Sequence, residues 1–495
     1  MRKAVYQLFV GNLSSKLVGF IREILTAAIF GTGSVIAAYR ISLTGVLSPI
    51  NFLTSDTLNT AFVPTYKSLF ETDKEQAQTL LYTLISLFVV FSLLLSIVLF
   101  LFAKTWVGMM APELDSNTLK LTLDMFSVIL IAIPFYLLSA IFLFLCMARG
   151  DFVPMAVRPL IQNLGMILGT LLTFWSKNLS YLAWGFTISY VFFLFWVFFR
   201  ALNQEFLTLP NFFAPTKIKD VLKAFWQTLK PLVVLPFILQ GNIVIERMVA
   251  SLVSIAAISA VDYAKFVTET MILMISTPLA FAGLTHWSGI GLNNMTQKLK
   301  GLIGLLTFIS VPISAFLIVE SYSVVELLYS RGAFNRESTL ATGDILYGIA
   351  WGLWAQTIAY VLIKALSAQM MNKTVMKITI AALLGNIIFN LITYKYLGAK
   401  ALGWGNTIYG LILLISTLAV FGLLKDFIKN SWLLISGAFV YIFFLQNILD
   451  TSQQTALLTV LAAGIEAIIF WVTWILILKP LRIEAVTYFN LLRKH

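Results

Sequence analysis

Cysteine and histidine are nearly absent from this chain: one cysteine, Cys146, and two histidines, His286 and His495, among 495 residues. A single thiol excludes an internal disulfide framework, and so few soft or imidazole ligands exclude a zinc cluster or other metal centre. Cys146 lies within an apolar run and reads as a small buried hydrophobe. Charge is scarce as well. Only 11% of the residues are charged, far fewer than a soluble domain of this length needs to cover its surface. The period-two alternation of a membrane barrel is missing, which leaves helices. A cleavable signal peptide is not expected, because Met1-Arg2-Lys3 leads into a helix carrying Lys16, Arg22 and Glu23 rather than an uncharged h-region.

What is there is hydrophobicity, 59% of the chain. Runs such as 83–103 and 126–147 exceed the roughly 20 residues that cross about 30 Å of hydrocarbon, and such runs must satisfy their own backbone groups as helices. The pattern predicts helices over 4–30, 34–66, 77–104, 118–146, 151–176, 180–202, 218–252, 256–288, 298–329, 338–370, 374–396, 399–428, 431–448 and 455–480. The expected fold class is therefore all-α integral membrane, with about fourteen transmembrane helices. An even count puts both termini on one side. Placing that side in the cytoplasm gives it about three times as many Lys and Arg as the other, a positive-inside bias. The net charge of +12 then belongs to cytoplasmic loops, and nucleic acid is not an expected partner.

The chain also repeats itself. Trp184-Gly185-Phe186-Thr187-Ile188 recurs as Trp404-Gly405-Asn406-Thr407-Ile408, at an offset of 220 residues that also relates Ala148 to Ala368. Ala61-Phe62-Val63-Pro64 faces Ala282-Gly283-Leu284-Thr285 at nearly that offset, and Gly11-Asn12 faces Gly241-Asn242 at a slightly longer one. An offset holding six helices relates two copies of the same orientation. The expectation is two parallel six-helix lobes around a central cavity, plus two C-terminal helices. The expected division is an N-lobe at 1–202, a cytoplasmic linker at 203–217 containing Pro210 and Pro215, a C-lobe at 218–428, and the last two helices with a basic tail at 429–495.

An ionisable residue in mid-membrane costs roughly 2.5–3.5 kcal/mol on the insertion scale, so its position needs a reason. Lys16, Arg22 and Glu23 fall on the first predicted helix, Arg40 and Asp56 on the second, Glu246 and Arg247 on the seventh, and Asp262, Lys265 and Glu269 on the eighth. These are the opening helices of each repeat, which would line a central cavity. One reading is that the charges pair with each other, Arg22 with Glu23 or Lys265 with Glu269, and merely lock helices together. The other is that Lys16, Arg22, Arg40, Arg247 and Lys265 converge as cavity cations on an anionic headgroup, with Glu23, Asp56, Glu246 and Glu269 as cavity acids; arginine suits phosphate oxygens bidentately. Arg40 or Arg247 could instead snorkel towards a helix end. Asn242, Glu246, Asn386 and Asn390 form a candidate site for a coupling ion, Na+ or H+, although such asparagines more often bond between helices. Arg331-Gly332-Ala333-Phe334, followed by Asn335 and Ser338, reads as a turn and helix cap.

Several stretches carry a resemblance. Ser15-Lys16-Leu17-Val18-Gly19-Phe20-Ile21-Arg22-Glu23, Phe30-Gly31 and Ala61-Phe62-Val63-Pro64 resemble the opening of the MurJ/MviN family. Leu328-Tyr329-Ser330-Arg331-Gly332-Ala333-Phe334 resembles its signature after the ninth helix, and the stretch from Ala250-Ser251 to Tyr263-Ala264 is similar to its eighth. The resemblance implies the multidrug/oligosaccharidyl-lipid/polysaccharide exporter fold, and flipping of polyprenyl-pyrophosphate-linked sugars, chiefly lipid II, by alternating access. It places essential cavity cations on Lys16 and Arg22, the first being arginine in typical members. It also marks departures: the family's acidic residue falls on Ala37, a second-helix arginine on Ile50 and an eighth-helix arginine on Phe266.

The expected function is thus a flippase of a lipid-linked oligosaccharide, lipid II or a related cell-envelope glycan, in the bacterial cytoplasmic membrane. The expected molecule is a monomer with no cofactor beyond a coupling ion and with membrane lipid as its surroundings. A multidrug or organic-cation antiporter of the same fold is the alternative; it would want a more acidic and aromatic cavity. A membrane glycan polymerase or ligase would need a longer outer loop than the roughly fifteen residues available, so an enzyme is not expected.

Overall fold

The computed structural model describes the backbone of residues 2–54, 56–207, 215–230, 233–287, 292–448 and 456–493. Among the described residues there are twenty helices and no strand. By contacts the chain forms two compact units, Met1–Ile258 and Ser259–His495. The first holds α1 (Arg2–Phe30), α2 (Ser34–Thr54), α3 (Asp56–Thr72), α4 (Lys74–Leu101), α5 (Ala103–Met110), α6 (Ser116–Leu130), α7 (Ala132–Ala148), α8 (Val153–Ser176), α9 (Ser180–Asn203), α10 (Pro215–Leu229) and α11 (Val234–Val253). The boundary falls within α12 (Ile255–Trp287). The second unit continues with α13 (Leu292–Val319), α14 (Ser321–Tyr329), α15 (Arg336–Ala368), α16 (Asn372–Leu397), α17 (Ala399–Val420), α18 (Leu424–Ile448), α19 (Ala456–Ile477) and α20 (Lys479–Arg493).

Each of the fourteen predicted segments coincides with helix; seven of them, 34–66, 77–104, 118–146, 218–252, 298–329, 399–428 and 455–480, are divided between two helices, and α20 extends beyond the last. The clearest interruption has a local cause. Pro134 has no N–H to offer the Leu130 carbonyl, and the chain bends by 40° between α6 and α7 at that point. Among the described residues, 11 helices are long and apolar enough to cross a membrane, or 12 if the bent α6–α7 pair counts as one. The chain is a multi-pass membrane protein. Neither α1 nor α12 is among those spans: Lys16, Arg22 and Glu23 interrupt the first, and Asp262, Lys265 and Glu269 the second.

Apolar residues cover the outside as well as the inside of these helices. Leu93, Leu94, Ile97 and Phe100 of α4 are exposed, as are Ile465, Ile468 and Ile469 of α19, as expected where the surrounding solvent is lipid. Within the first unit, Ile36, Ile41, Phe62, Leu80, Phe126 and Phe186 form part of the core. In the second, Leu306, Ile358, Leu362, Leu414 and Leu418 join α13, α15 and α17 in one buried cluster.

The internal repeat has a packing counterpart inside each unit. Gly185 lets α9 close on α8, where an added Cβ would meet Gly165 O at 2.5 Å and Gly169 Cα at 2.9 Å. Its repeat mate Gly405 lets α17 close on α16, where a Cβ would fall 2.1 Å from Asn390 Oδ1. Small residues at a crossing are how helices approach without a solvent-driven hydrophobic force. The seventh predicted helix opens the second sequence copy, yet as α11 it packs on α2 of the first unit, where the Arg247 Nε donates to Thr44 Oγ1 at 3.2 Å.

Loop chemistry fixes the ends. Asp115 caps α6, accepting from the backbone N–H groups of Asn117 and Thr118 at 3.1 Å each. The hydrogen bonds from Thr118 hold its carboxyl below the usual range. Arg200 near the end of α9 grips Asp151 in the α7–α8 turn with two bonds, 2.6 and 3.1 Å. Asn335 caps α15 by accepting from Ser338 N at 2.9 Å, as the turn-and-cap reading of that stretch expects.

Candidate functional site

The charge cluster of the first unit is built from α1, α2 and α8. Glu23 on α1 is 2% exposed, and its carboxylate receives two guanidinium groups. Arg22 is bonded to its Oε1 through Nη2. Arg40 comes from α2, with Nη2 at 2.5 Å from Oε2 and Nη1 at 3.4 Å from Oε1. The other arm of Arg22 donates from Nη1 to Asn163 Oδ1 of α8 at 2.7 Å. Asn163 is itself held, its Nδ2 donating to Ser15 O at 3.1 Å. The hydroxyl of Tyr39, buried on α2 without a hydrogen-bond partner, lies within electrostatic reach of Arg22, Arg40 and Glu23. These three charged groups carry a net charge of about +1 in a poorly hydrated setting, where charge-assisted bonds are strong and an anion is the favoured guest.

Both readings of the charges therefore meet here. Arg22 does pair with its neighbour Glu23, but so does Arg40, and the cluster retains a surplus cation. Lys16 is half-buried on α1. Asp56 starts α3, but its side chain lies outside the described residues, as do those of His286 and His495. Arg247 is buried, with Nη1 bonded to Ile258 O and Nε to Thr44 Oγ1, and its neighbour Glu246 is buried beside it on α11. Lys265 is half-buried and Glu269 exposed on α12, in the second unit.

The candidate ion ligands divide between the units. Asn242 and Glu246 lie on α11 in the first, Asn386 and Asn390 on α16 in the second. Asn390 Nδ2 donates to Asn386 Oδ1 at 3.2 Å. Asn242 Oδ1 and Asn390 Oδ1 are buried oxygens without hydrogen-bond partners. Among the described residues no group of three or more His, Cys, Asp or Glu side chains is arranged to hold a metal.

Two of the positions where the family's charges are replaced sit in the core: Ala37 and Ile50 are both fully buried. Phe266 is half-buried on α12. Arg40 stands one helical turn from Ala37, so a cation occupies the same face of α2. Another arginine is enclosed by rings. The Arg158 guanidinium lies 4.4 Å from the Tyr136 ring centre and 5.6 Å from that of Tyr190, while the hydroxyls of those tyrosines donate to Asn51 and Gln162. Sequence reasoning did not single out Asn163 or Tyr39. A polar or phenolic residue within a span is common, and only the contact across helices sets these two apart.

The fold and its buried cationic cluster define a class, that of helical multi-pass membrane proteins with arginines ion-paired inside the helical bundle. The sequence matches the family model described as Lipid II flippase MurJ over residues 26–481, and the chain belongs to that family of flippases, which are transporters and not enzymes. Among curated relatives, a probable lipid II flippase MurJ of Thermotoga maritima is 23% identical over 402 residues, covering 81% of each chain. One of Aquifex aeolicus is 24% identical over 338 residues, 68% of this chain and 66% of the relative. The solved structure of a lipid II flippase MurJ in an inward closed conformation superposes with a TM-score of 0.80 at 22% identity, covering 98% of this chain and 99% of the other.

Proposed function

We propose that this chain flips lipid II, or a related polyprenyl-pyrophosphate-linked glycan, across the bacterial cytoplasmic membrane by alternating access. The family match over residues 26–481 carries this reading, and the Arg22–Glu23–Arg40 cluster supports it chemically. Two guanidinium groups already oriented on a carboxylate need little reorganisation to accept phosphate oxygens in its place, and arginine forks match both acceptors. Lys16, Arg247 and Lys265 are the further cations of this proposal, with Arg40 taking the place of a lost family contact. Asn242, Glu246, Asn386 and Asn390 supply oxygen of the kind a coupling Na+ would use. The orientation proposed is both termini in the cytoplasm, and the working unit a monomer.

The test is complementation of a flippase-depleted bacterial strain. Wild type restores growth; Arg22→Ala and Arg40→Ala, matched for membrane expression, fail. Equal rescue by all three proteins removes the cationic role, and no rescue by wild type, with a different lipid co-purifying in native mass spectrometry, removes lipid II as the cargo.

A further inference from the structure

A second ionisable cluster lies wholly inside the second unit. Glu320 occupies the junction of α13 and α14 and is 7% exposed. Glu466 stands in the middle of the apolar α19, with Oε2 buried and without a hydrogen-bond partner. The two carboxylates interact electrostatically, and both act on the Tyr441 hydroxyl of α18. Tyr441 is 0% exposed, and its hydroxyl has no hydrogen-bond partner. Beside it, 6.3 Å between ring centres, is Trp471 of α19, whose Nε1 is likewise buried and unpartnered.

No lysine or arginine among the described residues pairs with either carboxylate. From α14 only the Ser323 hydroxyl bonds Glu320, while Glu326 of the same helix is exposed. Asp344 of α15 is engaged elsewhere, by Tyr322 at 2.5 Å and Lys400 at 3.6 Å. On α13 and α18 the charged Lys300 and Asp426 pair with each other at 2.6 Å, near the opposite ends of those helices from Glu320 and Tyr441. Lys479, Arg482 and Glu484 begin α20, on the order of 20 Å along the axis from Glu466 at 1.5 Å per residue.

We infer that Glu320 and Glu466, together with the Tyr441 hydroxyl, form an intramembrane proton-binding site. Two like charges near each other in hydrocarbon, with no cation to offset them, cannot both persist; one proton held by the pair removes a charge and supplies the donor that an unpaired carboxylate oxygen lacks. A metal cation is the poorer fit. It needs about six oxygens, whereas this cluster offers two carboxylates and two hydroxyls, together with an indole N–H that can only donate. The proton enters as a proton from water and leaves as one, so no other reactant is required.

The test is infrared difference spectroscopy of the full chain in lipid nanodiscs as pH is stepped through the neutral range, a readout that does not depend on lipid flipping. Wild type shows a protonated carboxyl stretch that titrates; Glu466→Gln and Glu320→Gln each abolish it, and Tyr441→Phe shifts its frequency and midpoint while keeping the fold. A band unchanged in both glutamine variants, or no such band in folded wild type, overturns the site. A band that responds to added NaCl or KCl at fixed pH, and not to pH, overturns the assignment to a proton. If one glutamine variant does not fold, the other glutamine variant and Tyr441→Phe decide the outcome. Failure of the complementation test above leaves this result intact, and the converse also holds.

Discussion

Arg40 on α2 grips Glu23 on α1 with both arms of its guanidinium, at 2.5 and 3.4 Å. The bond ties the second helix to the first and fixes the carboxylate that Arg22 also uses. Removing one partner of a buried ionic group leaves the other uncompensated, which is far costlier than never having had the pair.

Glu23→Gln is therefore expected to lower the stability of the purified protein by about 3 kcal/mol or more, since two guanidinium groups lose one carboxylate. Arg40→Lys keeps the charge but not the fork and should fall between wild type and Glu23→Gln. Thermal unfolding in detergent measures both. A Glu23→Gln protein as stable as wild type would show that the cluster does not join the helices.

Gly405→Ala places a methyl 2.1 Å from Asn390 Oδ1, and the buried Asn390 amide must give way to admit it. A loss of about 1–3 kcal/mol is expected. Gly464 of α19 is the control: nothing lies within 4 Å of its added Cβ, and Ala should gain about 0.5–1 kcal/mol through helix propensity. Equal effects at the two positions would contradict the close approach at Gly405.

Arg247 bonds a hydroxyl on α2 and the carbonyl of Ile258. An ammonium cannot span both acceptors with the same geometry, so Arg247→Lys should loosen α11 against α2 despite the conserved charge. Hydrogen exchange measured by mass spectrometry should rise in peptides from 234–253, and unchanged protection there would refute the tie.

Asp115 gives a pH-dependent cap. Bonds from Thr118 and Asn117 depress its folded-state value, so its contribution is present above the ordinary carboxylate range and is lost as pH falls through the lowered folded value. Asp115→Ala should narrow the gap between neutral and acidic unfolding temperatures. A gap identical to that of wild type would exclude the cap as its source.

The long apolar runs carry enough signal to place the helices, but the sequence reading gives 118–146 as one helix and misses the α6–α7 bend that Pro134 marks. The break at Phe102 between α4 and α5 has no such marker, since no proline or glycine adjoins it and only tertiary packing decides it. For the site, charges in spans are visible one by one, which identifies Arg22, Glu23 and Arg40. Their partnership is another matter: Arg40 and Glu23 meet across a turn between two helices, and Asn163 reaches the same cluster from far along the chain. Glu466 is legible as the one acid in the last predicted helix, yet nothing in the sequence brings Glu320 to it. Packing of α13, α14, α18 and α19 does that.

Cys146 is the single thiol and is completely enclosed within α7. A membrane-impermeant maleimide would therefore find a silent background, without any prior replacement of native residues. Cysteines placed one at a time in the loops would report which side of the bilayer each faces, and the same unmodified chain could carry paired spin labels to follow its transport cycle.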